Sequence, residues 1–261
     1  MRRHVIGDAE IALDDLGTGP PVLLLHGFPS TRRLWGRVAP ALADAGFRVL
    51  APDLAGYGDS AAAPGARVDM ASQARWMEKL LDALGLAQVA VVAHDVGTAA
   101  AQLLATGSPG RVRALALADG VYLGEWAMEA VHPIQRWEER DAARLHPVLL
   151  RRLGRSEGMR EMLAAYEGDE GGRRLVRAAR DLEPAQTEGL AGALRALAMP
   201  RCVLWGERDA YLPLDGVGRP LAALLGTEPV VLPGGHFTPL DSPTEMAGAL
   251  LAFLRALPPQ G

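Results

Sequence analysis

"VAVVAHDVGTAAAQLLATG", residues 89–107, contains an apolar run, a sharp turn and a helical pattern in direct succession. The run at 89–95 is almost continuously apolar, as expected of a strand covered on both faces of a parallel sheet. "GTAAAQLLATG" (97–107) reads as the helix that follows. Ala93 and Gly97 flank Asp95 at two positions on either side, and small residues there let the backbone turn tightly between strand and helix. Such a turn exposes its central side chain at the strand end, and here that side chain is a carboxylate. The helix N-terminus behind Asp95 favours a negative charge. An aspartate before a helix is also a common N-cap, so the local sequence leaves both roles open.

The same strand–helix alternation extends outward from this stretch. Apolar runs bounded by Gly, Pro or Asp lie at "PVLLLHG" (21–27), "FRVLAPD" (47–53) and "VRALALAD" (112–119). Later runs are "RCVLWGERD" (201–209) and "PVVLPGGH" (229–236), and "HVIGDAEIALDDLG" (4–17) suits a leading antiparallel hairpin. Helical patterns fall at 31–46 and 69–85, each ending at a glycine. The alternation predicts an α/β fold with a doubly wound, mostly parallel sheet, which binds ligands at the carboxyl ends of its strands. It breaks over 122–198, where only helical patterns occur. The expected organisation is a core of 1–121 and 199–261 with a helical lid, 122–198, inserted in it. Gly168, Gly171 and Gly172 suggest that this lid opens.

Composition narrows the function classes. Of the 261 residues 49% are hydrophobic and 22% charged, and the net charge is −4. That is ordinary globular composition, and it gives no basic footprint for nucleic acid. The single cysteine, Cys202, rules out a disulfide within the chain. The six histidines show no metal-ligand spacing, and no phosphate loop or dinucleotide fingerprint occurs. No cofactor and no metal are expected. The first residues contain no apolar leader segment, and no run approaches about 18 uninterrupted apolar residues. A soluble cytoplasmic protein without membrane contact is expected, as monomer or homodimer.

Three further turns complete a chemical set. In "LLLHGFP" (23–29) the Phe28 N–H, together with the Val96 N–H, would form an oxyanion hole. In "GGHFTPLDSP" (234–243) His236 is the last strand-end polar group in the chain. The acid that would orient it has two candidates, Asp209 in "LWGERDAYLP", which is favoured, and Asp119 in "ALALADG". The order Asp95, acid, His236 is that of a hydrolase triad. His26 and His94, beside the turns, are expected to be structural.

Together these features resemble the α/β-hydrolase superfamily over nearly the whole chain. "PDLAGYGDS" (52–60) is typical of it, and "HDVG" (94–97) looks like the elbow of its aspartate-nucleophile branch, the epoxide hydrolases and haloacetate dehalogenases. The resemblance implies displacement at a saturated carbon by Asp95, then hydrolysis of the resulting ester by water activated through His236. Some of that branch carry the acid after the earlier strand, which keeps Asp119 in play.

The leaving group divides the possible activities. Epoxide hydrolases of this family usually draw a tyrosine pair from the lid, whereas here only Tyr166 lies well inside it. Tyr122 stands at its start and Tyr211 beyond it. Haloalkane dehalogenases usually carry Trp, and haloacetate dehalogenases Arg, where this chain has Val96. A small apolar neighbour suggests a small neutral organic substrate and puts epoxide hydrolysis ahead of dehalogenation. A cofactor-free biosynthetic enzyme on the same fold, or a binding module without turnover, are the remaining readings. Trp35, Trp126 and Trp137, with Tyr122, Tyr166 and Tyr211, are candidate substrate contacts.

Overall fold

The computed structural model describes residues 1–258; the last three positions of the core segment expected over 199–261 lie outside the described residues. The strands are β1 (Arg2–Ile6), β2 (Ala9–Leu16), β3 (Pro21–Leu25), β4 (Arg48–Pro52), β5 (Ala61–Ala62), β6 (Val89–His94), β7 (Val112–Ala118), β8 (Arg201–Gly206) and β9 (Pro229–Leu232). They form one sheet in the order β1-β2-β4-β3-β6-β7-β8-β9, with the short β5 paired to β2. The hairpin β1–β2 is antiparallel and joins β4 antiparallel, while every neighbour from β4 to β9 is parallel. All residues of β3 and β6 are buried, which is why these strands read as unbroken apolar runs.

The helices of the first half are α1 (Val38–Asp44), α2 (Met70–Ala83) and α3 (Gly97–Gly107). The sequence pattern over 31–46 suggested one continuous helix. The structure divides it into a 3-10 turn at Arg32–Trp35, capped by Thr31, and the separate α1. Helix α2 starts where the Asp69 side chain accepts the Ser72 N–H at 2.8 Å, and it buries Met70, Ala74, Met77, Leu80 and Leu81. Between β7 and β8 come α4 (Met128–Gln135), α5 (Leu145–Leu153), α6 (Glu157–Leu163), α7 (Gly168–Arg180), α8 (Ala185–Glu188) and α9 (Ala191–Ala196). The last are α10 (Arg219–Leu224), α11 (Thr238–Asp241) and α12 (Pro243–Arg255). Helices α1 and α12 pack together, as do α2 and α3. No helix among the described residues is long and apolar enough to cross a membrane.

Side-chain hydrogen bonds to core loops hold the helical segment in place. Arg174 donates to Gly58 O at 2.9 Å, and Tyr166 donates its hydroxyl hydrogen to Ser30 O at 2.8 Å. Asp181 accepts the Val68 N–H at 2.7 Å. Gly171 and Gly172 lie inside α7. A Cβ on Gly172 would stand 2.1 Å from Ala142 O, and one on Gly171 2.5 Å from the Tyr166 carbonyl carbon. Both are therefore positions of close packing within α7.

Strand order sets the place of the site. From β3 the chain moves to β4 on one side, and it later returns to place β6 on the other. The connections leaving β3 and β6 diverge at their carboxyl ends, which opens a crevice there. Two glycines let the walls of that crevice meet. A Cβ on Gly97 would lie 2.3 Å from His26 O, and one on Gly27 would lie 2.4 Å from both the Cβ and Oδ2 of Asp95. Gly97→Ala should destabilise the fold by about 1–3 kcal/mol, because the opposing atom is rigid backbone. Urea unfolding followed by circular dichroism measures this, and an unchanged midpoint would show that the two turns can separate freely.

Candidate active site

Asp95 stands between β6 and α3 with φ of 52°, a left-handed backbone that a non-glycine residue adopts only at a cost of about 1–3 kcal/mol. That conformation turns the side chain away from the helix. The N-terminus of α3 has no side-chain cap, and Asp95 Oδ2 instead accepts the Phe28 N–H at 2.7 Å. Its Oδ1 lies 3.5 Å from His236 Nε2. The N-cap role that the local sequence allowed is thus not the one its side chain takes.

His236 follows β9. Its Nδ1 donates to Asp209 Oδ2 at 2.8 Å. Asp209, in the loop after β8, is fixed in turn because its Oδ1 accepts the Tyr211 and Leu212 N–H groups at 2.8 and 2.9 Å. Asp119 is placed differently, although it is fully buried nearby. It accepts the Gly206 N–H at 2.6 Å and the Thr238 hydroxyl hydrogen, so it ties β8 to α11 and does not bond His236. Of the two acids that the sequence offered, only Asp209 reaches the imidazole.

Charge follows from this geometry. Burial alone would drive His236 towards its neutral form, but the Asp209 and Asp95 carboxylates together hold its pKa well above 6.5. Burial also pushes Asp95 up, yet His236 and the Phe28 N–H outweigh it and keep the carboxyl below its usual range. The resting site is an imidazolium between two carboxylates. Asp119 shows the opposite balance, since burial raises it to about 8 against its hydrogen bonds. His94 donates Nε2–H to His236 O at 2.7 Å, and burial pushes its pKa down to about 4, so it is neutral. His26 accepts the Leu54 N–H at Nε2 and bonds Gly27 O through Nδ1. Both flanking histidines therefore serve the backbone.

The loop carrying Phe28 is braced from behind. Arg32, almost wholly buried, bonds the carboxylates of Asp14, Asp53 and Asp59, and its N–H donates to Asp53 Oδ1 at 2.6 Å. These bonds join the turn after β3 to the turn after β4.

Asp95, His236, Phe28, Val96, Tyr211 and Trp126 share one cavity, whose remaining wall is mostly apolar and comes largely from α4 and α5. Trp126 spends its indole N–H on Thr187 Oγ1 at 3.0 Å and Leu123 O at 3.2 Å. Trp35, Tyr122, Trp137 and Tyr166 lie outside the cavity wall. Trp35 and Tyr166 are fully buried in packing, and Trp137 donates its indole N–H to Asp141 O at 2.9 Å. The sequence reading passed over Phe237 and Arg152, which do line the cavity. Phe237 could have been found by its place next to His236. Arg152 has no signal, being one of two adjacent arginines in α5. Among the described residues, no group of three His, Cys, Asp or Glu is placed to hold a metal ion.

A sequence profile described as the alpha/beta hydrolase fold matches residues 20–160. The chain belongs to the α/β-hydrolase family. Relatives that it resembles over part of its length include dehalogenases and epoxide hydrolases. It is 39% identical over 122 residues to a haloalkane dehalogenase of Mesorhizobium japonicum, covering 47% of this chain and 36% of that one. It is 43% identical over 103 residues to bifunctional epoxide hydrolase 2 of Sus scrofa, covering 39% of this chain and 19% of that one. The matches thus span about a third or less of these relatives' lengths. An alpha/beta hydrolase fold protein from Burkholderia ambifaria superposes with a TM-score of 0.87 at 26% identity, over 96% of this chain and 97% of its own.

In this α/β hydrolase the charge on His236 is checked by titration. Asp95→Asn removes one of the two carboxylates that raise the imidazole, so His236 should lose its proton at a lower pH than in the wild type. NMR of the imidazole nitrogens across pH reads the change, and an identical titration would mean that Asp209 alone holds the proton. The folded state binds this proton more tightly than the unfolded chain does. Its contribution to stability is therefore full below the unfolded value near 6.5 and is lost as the pH rises through the folded one.

Proposed function

We propose that this α/β hydrolase opens an epoxide to a diol through an ester formed on Asp95. One observation carries the reading: the Asp95 carboxylate leaves its helix uncapped, accepts the Phe28 N–H and faces His236. A carboxylate is anionic without first losing a proton, which suits attack on a saturated carbon. As the Asp95 oxygen–carbon bond forms, the epoxide carbon–oxygen bond breaks and its oxygen requires a proton. Tyr211 is the phenol on the cavity wall, and its ring centre lies 5.2 Å from that of His236. Tyr211 gives the proton and regains one from the imidazolium.

The second step uses the base so formed. His236 is now neutral, and esterified Asp95 no longer holds it protonated. It takes a proton from water, whose oxygen attacks the ester carbonyl, while Asp209 orients the ring and stabilises its returning charge. The oxyanion on Asp95 meets the Phe28 N–H, with the Val96 N–H as second donor, and each such donor contributes about 3 kcal/mol. Collapse breaks the bond between the acyl carbon and the product oxygen, the departing alkoxide takes the proton of the new Asp95 carboxyl group, and the diol leaves with the ion pair restored. Every group involved is a side chain or amide of the chain, so the reading calls for no cofactor. Halide release needs N–H donors and no proton. The Trp126 indole is committed elsewhere, and the wall offers a phenol, which favours the epoxide.

A single turnover in heavy-oxygen water should place the label on the peptide carrying Asp95 and leave the diol unlabelled, because the water oxygen ends in the carboxylate. Label in the diol alone would overturn the ester. Tyr211→Phe should slow diol formation about a hundredfold; an undiminished rate would assign the proton to another group. His236→Gln should form the ester without releasing it, seen as added mass on the same peptide.

A further inference from the structure

The cavity contains one charged side chain that this mechanism leaves unused. Arg152, an exposed residue of α5, lines it. Leu149, three residues earlier on the same helix face, lines it too. Leu153, Trp126, Val131 and Ile134 make the wall between them apolar. Several other arginines of the helical segment are committed and line no part of this cavity: Arg174 and Arg177 donate to core carbonyls, and Arg180 pairs with Glu139. Arg152 makes no ion pair and no side-chain hydrogen bond with any described residue. Its planar, permanently charged donors remain available to a ligand.

We propose that Arg152 binds a carboxylate on the substrate, so that the preferred substrate is an epoxide bearing an anionic group across an apolar spacer. This rests on the Asp95 reading above. The charge balance supports it. Asp95, Asp209 and the His236 imidazolium leave the resting site with one net negative charge, which would repel an anion. The Arg152 guanidinium, on the lining of the same cavity, offsets that charge, and its fork matches a carboxylate bidentately. The residue after Asp95 suggested a neutral substrate because Val96 cannot pair with an anion. Arg152 supplies the missing cation from α5. A substrate held at both ends would set its reacting carbon against Asp95 by binding alone.

The test compares para-oxiranylbenzoate with para-oxiranylbenzamide, which differ in charge and hardly in shape. The wild type should favour the benzoate in kcat/KM by about tenfold or more. In Arg152→Gln that ratio should fall towards one through a raised KM, and Arg152→Lys should keep part of it. A wild type that treats the two alike, or a preference that survives in Arg152→Gln, would overturn the proposal. Calorimetry with the unreactive para-ethylbenzoate separates this from the reaction assignment. Binding that is weakened in Arg152→Gln supports the carboxylate site even if neither epoxide turns over. Binding that is equal in both proteins rejects it.

Discussion

The site depends on an imidazolium held between two buried carboxylates. Asp95, His236 and Asp209 each expose less than a tenth of their surface, so none of them could stay charged there alone. Removing the imidazolium would leave two uncompensated carboxylates out of water, whereas in place it faces both of them. The arrangement keeps the Asp95 carboxylate ionised. It also stores a proton beside the place where a leaving oxygen would need one. Once an ester forms on Asp95 the balance reverses, and the same imidazole becomes a base. One electrostatic arrangement can therefore serve both halves of the proposed reaction without an external acid.

That arrangement is held by backbone. Asp95 sits on a left-handed turn, Asp209 is pinned by two N–H groups, and His236 is held through its own carbonyl by His94. Beneath these, Gly27 and Gly97 allow the turns after β3 and β6 to meet at distances that a Cβ would forbid. The Arg32 cluster then locks the first of these turns to the one after β4. Strain at Asp95 is tolerated because each neighbouring turn is fixed independently.

The helical segment supplies what the sheet cannot, an apolar wall and a cation on the cavity lining. It is tied to the core through Tyr166, Arg174 and Asp181, which leaves α4 and α5 to shape the cavity. Tyr166 lies inside this segment, yet its hydroxyl is spent on Ser30 O and it cannot serve the cavity. The phenol that does reach the cavity, Tyr211, comes from the loop that also carries Asp209.

By itself the sequence determined the sheet, the α/β class and the turns that carry Asp95, Asp209 and His236. Buried parallel strands must be apolar on both faces, and a sharp strand-to-helix turn must have small flanking residues. Both are local requirements and so are written locally. The tertiary structure alone decided that Asp209 rather than Asp119 bonds the imidazole, since both follow strands and only their distances to His236 differ. It alone separated Trp126 and Tyr211 from the aromatic residues that merely pack. It alone placed Arg152 on the lining of the cavity that holds Asp95 and His236. Which side chains face one another across a cavity depends on how distant segments dock, and no periodicity within a segment records that.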